Sequence, residues 1–131
     1  MKLGLIEAVR QIDTQFKNAQ LVHRLDRDTS GCIVLSLKRS ILKILNTEMR
    51  EGRVEKKYLA VVRGEWPYGE MQISSNLKKN YLRSGEREVV ETTDGKQSVT
   101  NFRRILTNKH ISLIECILLT GRTHQIRVQV S

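Results

Sequence analysis

Aromatic residues make up only 5% of the 131-residue chain, too few for the row of exposed rings with which proteins hold single-stranded nucleic acid by stacking. Cysteine is scarce as well. Cys32 and Cys116 stand alone, each inside an apolar run, which excludes the paired spacing of a zinc site and the density of a secreted disulfide scaffold. Both read as reduced thiols in the core, and no metal is expected. Charged residues interrupt every apolar stretch before it reaches membrane-spanning length. The amino-terminal MKLGLIEAVR lacks the apolar region and small-residue cleavage site of a secretory signal, so the cytoplasm is the expected compartment and no membrane partner is expected. Repeats, low-complexity tracts and linkers are missing too, which leaves one domain as the expectation.

What the chain does have is positive charge. Lysine and arginine total 23 against 14 acidic residues, a net charge of +9, and such an excess favours polyanions through phosphate neutralisation. Nucleic acid is therefore the first partner to consider. An apolar content of 39% suffices for a modest core.

Leu5, Ile6, Val9 and Ile12 recur at helical spacing over about residues 4–12. CIVLSLK, Cys32 to Lys38, is short, β-branched and preceded by Gly31, the pattern of a buried strand. Ser40 is placed to cap a helix over about 41–51, with Ile41, Ile44, Leu45 and Met49 on one face and Gly52 just past its end. From Lys57 the pattern turns to strands: KKYLAVVRGEW, MQISSNL, then REVVETT and QSVTNFRRIL on either side of an Asp94–Gly95 turn, then HISLIECILL. Gly121 breaks the last strand before THQIRVQV, whose first residue, Thr123, can cap a helix. The expected fold class is α+β, with a mixed, mainly antiparallel sheet and flanking helices.

The densest chemistry lies in HRLDRDTSG, His23 to Gly31, where two carboxylates share nine residues with basic groups and a Thr–Ser–Gly turn. A solvated loop with local ion pairs is the plain explanation. The functional one is a carboxylate, Asp26, kept ionised by cations in a cleft from which substrate excludes water. A protein-kinase catalytic loop is ruled out, because leucine precedes the aspartate, no asparagine follows in place, and the glycine-rich phosphate loop is missing.

VHRLDRDTSG, KKYLAVVRG, LKKNYLRSGER and TGRTHQIRV, in that order, resemble the RluA-type pseudouridine synthases, most closely the branch acting on large-subunit ribosomal RNA. The likeness runs through essentially the whole chain, as part of a catalytic domain (residues 1–131) without the family's N-terminal strand and C-terminal portion. It implies that Asp26 is the catalytic aspartate, that Tyr58 stacks on the target base, and that Arg127 pairs with the aspartate. It further implies that Ile126 lines the uracil pocket and that His23, Arg24 and Thr29 shape the loop or touch the flipped nucleotide, with Arg122 and His124 beside Arg127 in the substrate-binding set. By themselves these are ordinary residues: Tyr58 a strand tyrosine, His124 a loop histidine, Arg122 and Arg127 solvated cations. Gln129 stands where the family usually has histidine.

The implied reaction converts uridine to pseudouridine in ribosomal RNA. The glycosidic bond to nitrogen breaks, the uracil rotates, and the same sugar carbon bonds to ring carbon 5. No cofactor is required, and a monomer is expected. The carboxylate either attacks the sugar carbon or removes the proton from sugar carbon 2; both routes need an ionised group at the ribose. The base must leave the stack to react. Lys78, Lys79, Arg83, Arg87, Arg103 and Arg104 are the expected phosphate contacts. Two other classes stay open, a non-catalytic RNA-binding fragment and a structural remnant of such an enzyme.

Overall fold

The structure, a computed structural model, describes residues 4–81 and 87–131. The chain divides into two compact units, Met1–Val54 and Glu55–Ser131.

In the first unit, helix α1 (Leu5–Ile12) is followed by a turn of 3₁₀-helix, Thr14–Phe16, that begins with the Asp13 carboxylate accepting from the Gln15 N–H at 2.9 Å. Two short strands, β1 (Gln20–Leu21) and β2 (Leu35–Ser36), pair antiparallel, and helix α2 (Arg39–Arg50) follows. Only two residues of CIVLSLK pair, because β1 offers a ladder no longer than that among the described residues; β-branched composition does not make a strand without a partner. Cys32 is exposed as a result, not a core thiol. Helix α2 also starts earlier than expected: Lys38 is its N-cap, and Ser40, already inside, makes no capping bond. Gly52 follows the helix end at φ 72°, as expected. Arg53 grips the end of α2, its Nε and Nη2 on the two Glu48 oxygens at 2.8 and 2.6 Å and its Nη1 on Glu51. This bidentate pairing lowers the Glu48 pKa and raises that of Arg53.

The second unit is a five-stranded sheet, β3 (Lys56–Arg63), β4 (Glu70–Tyr81), β5 (Arg87–Glu91), β6 (Lys96–Thr107) and β7 (Ile111–Leu118), in the order β3-β7-β6-β4-β5. With the short helix α3 (Gln125–Gln129) against it, the fold is α+β and mainly antiparallel, and every pairing among the described residues is antiparallel. The period-two pattern of β3 decides its faces: Lys56, Tyr58, Ala60 and Val62 turn inward, while Leu59 and Val61 face out. The core is Phe102, Ile114 and Cys116, on which Tyr58, Met71, Ile73, Trp66, Ile126 and Val130 pack. A bulge at Ile105 bends β6 against β7. At the β5–β6 turn a Cβ on Gly95 would lie 2.6 Å from the Asn76 carbonyl carbon, so only glycine lets this turn back onto β4.

Candidate active site

In the first unit the HRLDRDTSG motif forms the connection between β1 and β2. Its neck is closed twice: the Val22 N–H donates to Val34 O at 3.0 Å, and the Val34 N–H donates to His23 Nε2 at 3.0 Å. His23 thus accepts at Nε2 and acts as a structural clasp on the loop. Within the loop the Thr29 N–H donates to Asp26 O at 3.0 Å, so Asp26 opens a tight turn with its side chain half-buried. Gly31, at φ 138°, leads the chain back toward β2 in a conformation other residues avoid. Thr29 is half-buried, and Arg24, Arg27 and Asp28 are exposed. A depression of about 520 Å³ in this unit is lined by Arg10, Lys17 and Arg39 with Asn18, Gln20 and Leu37.

In the second unit two of the expected site residues, Tyr58 and Ile126, share one sheet face. Tyr58 stands directly across from Cys116 and packs on the same core as Ile126 of α3. Burial, with the neighbouring Glu115 charge, pushes the Cys116 thiol up to about 11. Helix α3 is fastened by two glutamines. Gln125, 2% exposed, donates to Val99 O at 3.1 Å and Thr100 Oγ1 at 2.8 Å, and accepts from Thr120 Oγ1 at 2.9 Å and the Arg122 N–H at 3.0 Å. Gln129 donates to Ser75 Oγ at 3.0 Å and Ser98 O at 3.1 Å, and accepts from Thr100 Oγ1 at 2.6 Å. Every polar atom of both amides is thereby used. The helix begins at His124 in the left-handed conformation, φ 54°, with no side-chain cap. Thr123 therefore does not cap it; the buried Gln125 amide holds the helix start instead. Arg127 is exposed on α3, and Arg122 is exposed in the preceding loop, with Nε donating to Gln97 O at 3.2 Å.

The expected phosphate contacts divide. Lys79 is exposed on β4. Lys78 is bound to Asp94, whose pKa this bond and that of Thr92 lower, and Arg103 pairs with Glu115 at 3.0 Å. Arg104 donates to Trp66 O at 3.1 Å. Arg83 and the Arg87 side chain lie outside the described residues. Sequence reasoning passed over Lys56, Lys96 and Gln125. Lys56 had a readable signal, a lysine on the inward phase of the strand that carries Tyr58. Among the described residues no group of three or more His, Cys, Asp or Glu side chains is arranged to hold a metal, and no helix is long and apolar enough to cross a membrane.

The second unit is an antiparallel α+β sheet with a half-buried tyrosine on its inner face and a short helix fastened to it, and the first unit carries an aspartate turn. The RNA pseudouridylate synthase family profile matches residues 7–131, and the chain belongs to that family. It is 43% identical over 128 residues to ribosomal large subunit pseudouridine synthase C of Escherichia coli (strain K12), covering 98% of this chain and 40% of that protein. With the synthase C of Haemophilus ducreyi (strain 35000HP / ATCC 700724) the identity is 45% over the same shares. The chain thus spans about two fifths of the length of these relatives. Among solved structures it is similar to Human RNA Pseudouridylate Synthase Domain Containing 1, with TM-score 0.78, 27% identity, and 96% of this chain and 54% of that one covered. Human RNA Pseudouridylate Synthase Domain Containing 4 shares the fold, with TM-score 0.70 at 24% identity over 86% of this chain and 46% of that one.

Proposed function

We propose that the protein isomerises specific uridines to pseudouridine in large-subunit ribosomal RNA, as part of one catalytic domain, without cofactor or metal, as a monomer in the cytoplasm. The observation that carries this reading is Asp26, set at the start of a hydrogen-bonded turn inside a loop whose neck is closed by His23, in a chain that the family matches over residues 7–131. A carboxylate acting on one sugar carbon must be presented in a fixed direction, and a clasped turn does this with little entropy left to lose.

In this reading Asp26 acts on the ribose, either as nucleophile at the sugar carbon or as base at sugar carbon 2. Tyr58, backed by Cys116 and held upright by the core, supplies the ring face against which the detached uracil turns. Ile126 borders the same pocket. Arg127 is the ionic partner of the aspartate, His23, Arg24 and Thr29 shape the loop or touch the flipped nucleotide, and Arg122 and His124 belong to the substrate-binding set beside Arg127. The cost of flipping, a few kcal/mol, is offset by stacking and by phosphate contacts to the basic surface. Release of tritium from RNA labelled at uridine carbon 5 tests the reading. Release in step with pseudouridine formation supports it. RNA binding without release favours the non-catalytic alternative.

A further inference from the structure

Lys56, on the inward phase of β3, and Arg122, exposed on the loop before α3, lie near enough for their like charges to interact. Lys56 Nζ lies 3.2 Å from the point where a side chain on Gly121 would begin, under the loop that carries Arg122. Burial, then the Arg122 charge, pulls the Lys56 pKa below the usual lysine range. Among the described residues neither cation has a salt bridge to a carboxylate. Like charges gathered without a carboxylate raise the local affinity for an anion.

The surroundings fit one kind of anion. A cavity of about 450 Å³ opens beside Arg122, lined also by Lys79 and Lys96, by the ion pair of Lys78 and Asp94, and by the apolar Leu77 and Val89. Among the described residues its one lining carboxylate, Asp94, is paired with Lys78, which leaves Lys79, Lys96 and Arg122 as excess cations beside apolar side chains, a lining that suits a chain segment with alternating sugar and phosphate better than a free small anion. Lys56 is also two residues from Tyr58 on the same face of β3, about 6.6 Å along the strand.

We propose that Lys56 and Arg122 cradle one backbone phosphate of the RNA, close to the nucleotide whose base stacks on Tyr58, and that the cavity rimmed by Lys79 and Lys96 takes the strand leading away from it. This rests on the functional reading above and adds to it a defined path for the RNA strand.

The test uses the wild-type protein and an RNA hairpin substrate in which single linkages near the target uridine are replaced, one at a time, by uncharged methylphosphonate. One such replacement should weaken wild-type binding about tenfold and should cost Lys56→Gln nothing further. Lys56→Gln should itself bind about tenfold more weakly, with the slope of log affinity against log salt smaller by about 0.7–0.9. The variant removes a charge that burial disfavours, so its thermal midpoint should not fall. Arg122→Gln, on an exposed loop, should behave alike. Arg63→Gln, exposed near the far end of β3, should keep the wild-type linkage penalty. The cradle is overturned if both variants match wild type in affinity and slope, or if the linkage penalty persists undiminished in Lys56→Gln. Tritium release by the wild type in the same samples separates the two ideas. Normal release with such results removes the cradle alone, whereas absence of RNA binding and release in the wild type removes both.

Discussion

Gln125 and Thr100 share a buried hydrogen bond of 2.8 Å, and the Thr100 hydroxyl donates in turn to Gln129 Oε1 at 2.6 Å, so one threonine on β6 joins both ends of α3 to the sheet. Ile126 and Arg127 lie between the two glutamines, and their positions are set by these amides.

Gln125→Leu should therefore destabilise the protein by about 2–6 kcal/mol, since it takes the accepting oxygen from the Thr120 hydroxyl and the Arg122 N–H, at about 1–3 kcal/mol for each group left unsatisfied, while the Val99 carbonyl keeps the Leu119 and Thr120 N–H donors. Urea titration followed by circular dichroism checks this. An unchanged midpoint would show that solvent replaces the amide.

The two cysteines should differ in reactivity. Cys32 is exposed, whereas Cys116 is buried with its thiol pushed up to about 11, and only the thiolate reacts. Iodoacetamide at pH 8 should label Cys32 within minutes and leave Cys116 untouched until denaturant is added. Mass spectrometry of the digest reads both sites, and equal labelling in the native state would mean that the β7 core opens readily.

Much of this was legible beforehand. The strands of the second unit follow the period-two pattern of KKYLAVVRG and HISLIECILL, because each has neighbours on which to bury one face. CIVLSLK misled because its apolar residues say nothing about the length of the partner strand, and β1 pairs with just two of them. The site motifs could be found by type and order, whereas the roles of Gln125 and His23 depend on hydrogen bonds to Val99, Thr100 and Val34, residues remote in sequence. Lys56 escaped notice because a lysine beside another lysine reads as surface, and only the strand phase turns it inward.

Arg127→Met and Arg122→Met should fail differently, although the arginines are five positions apart. Arg127 is assigned to the reacting aspartate, so its loss should reduce the single-turnover rate by about 100-fold or more, with RNA affinity altered little. Arg122 is assigned to phosphate, so its loss should weaken binding and leave the rate at saturating RNA near wild type. Stopped single-turnover assays over a range of RNA concentrations separate the two. Equal rate losses at saturation would mean that the aspartate's partner has been misassigned.

The most direct test of the account is tritium release from carbon-5-labelled ribosomal RNA by wild type and Asp26→Ala, with RNA affinity measured in parallel. The wild type should release tritium in step with pseudouridine, and Asp26→Ala should bind the RNA within about threefold of wild type, because affinity is spread over many phosphates, while releasing none above background. Release by Asp26→Ala near the wild-type rate would contradict the assignment of Asp26 as the catalytic carboxylate.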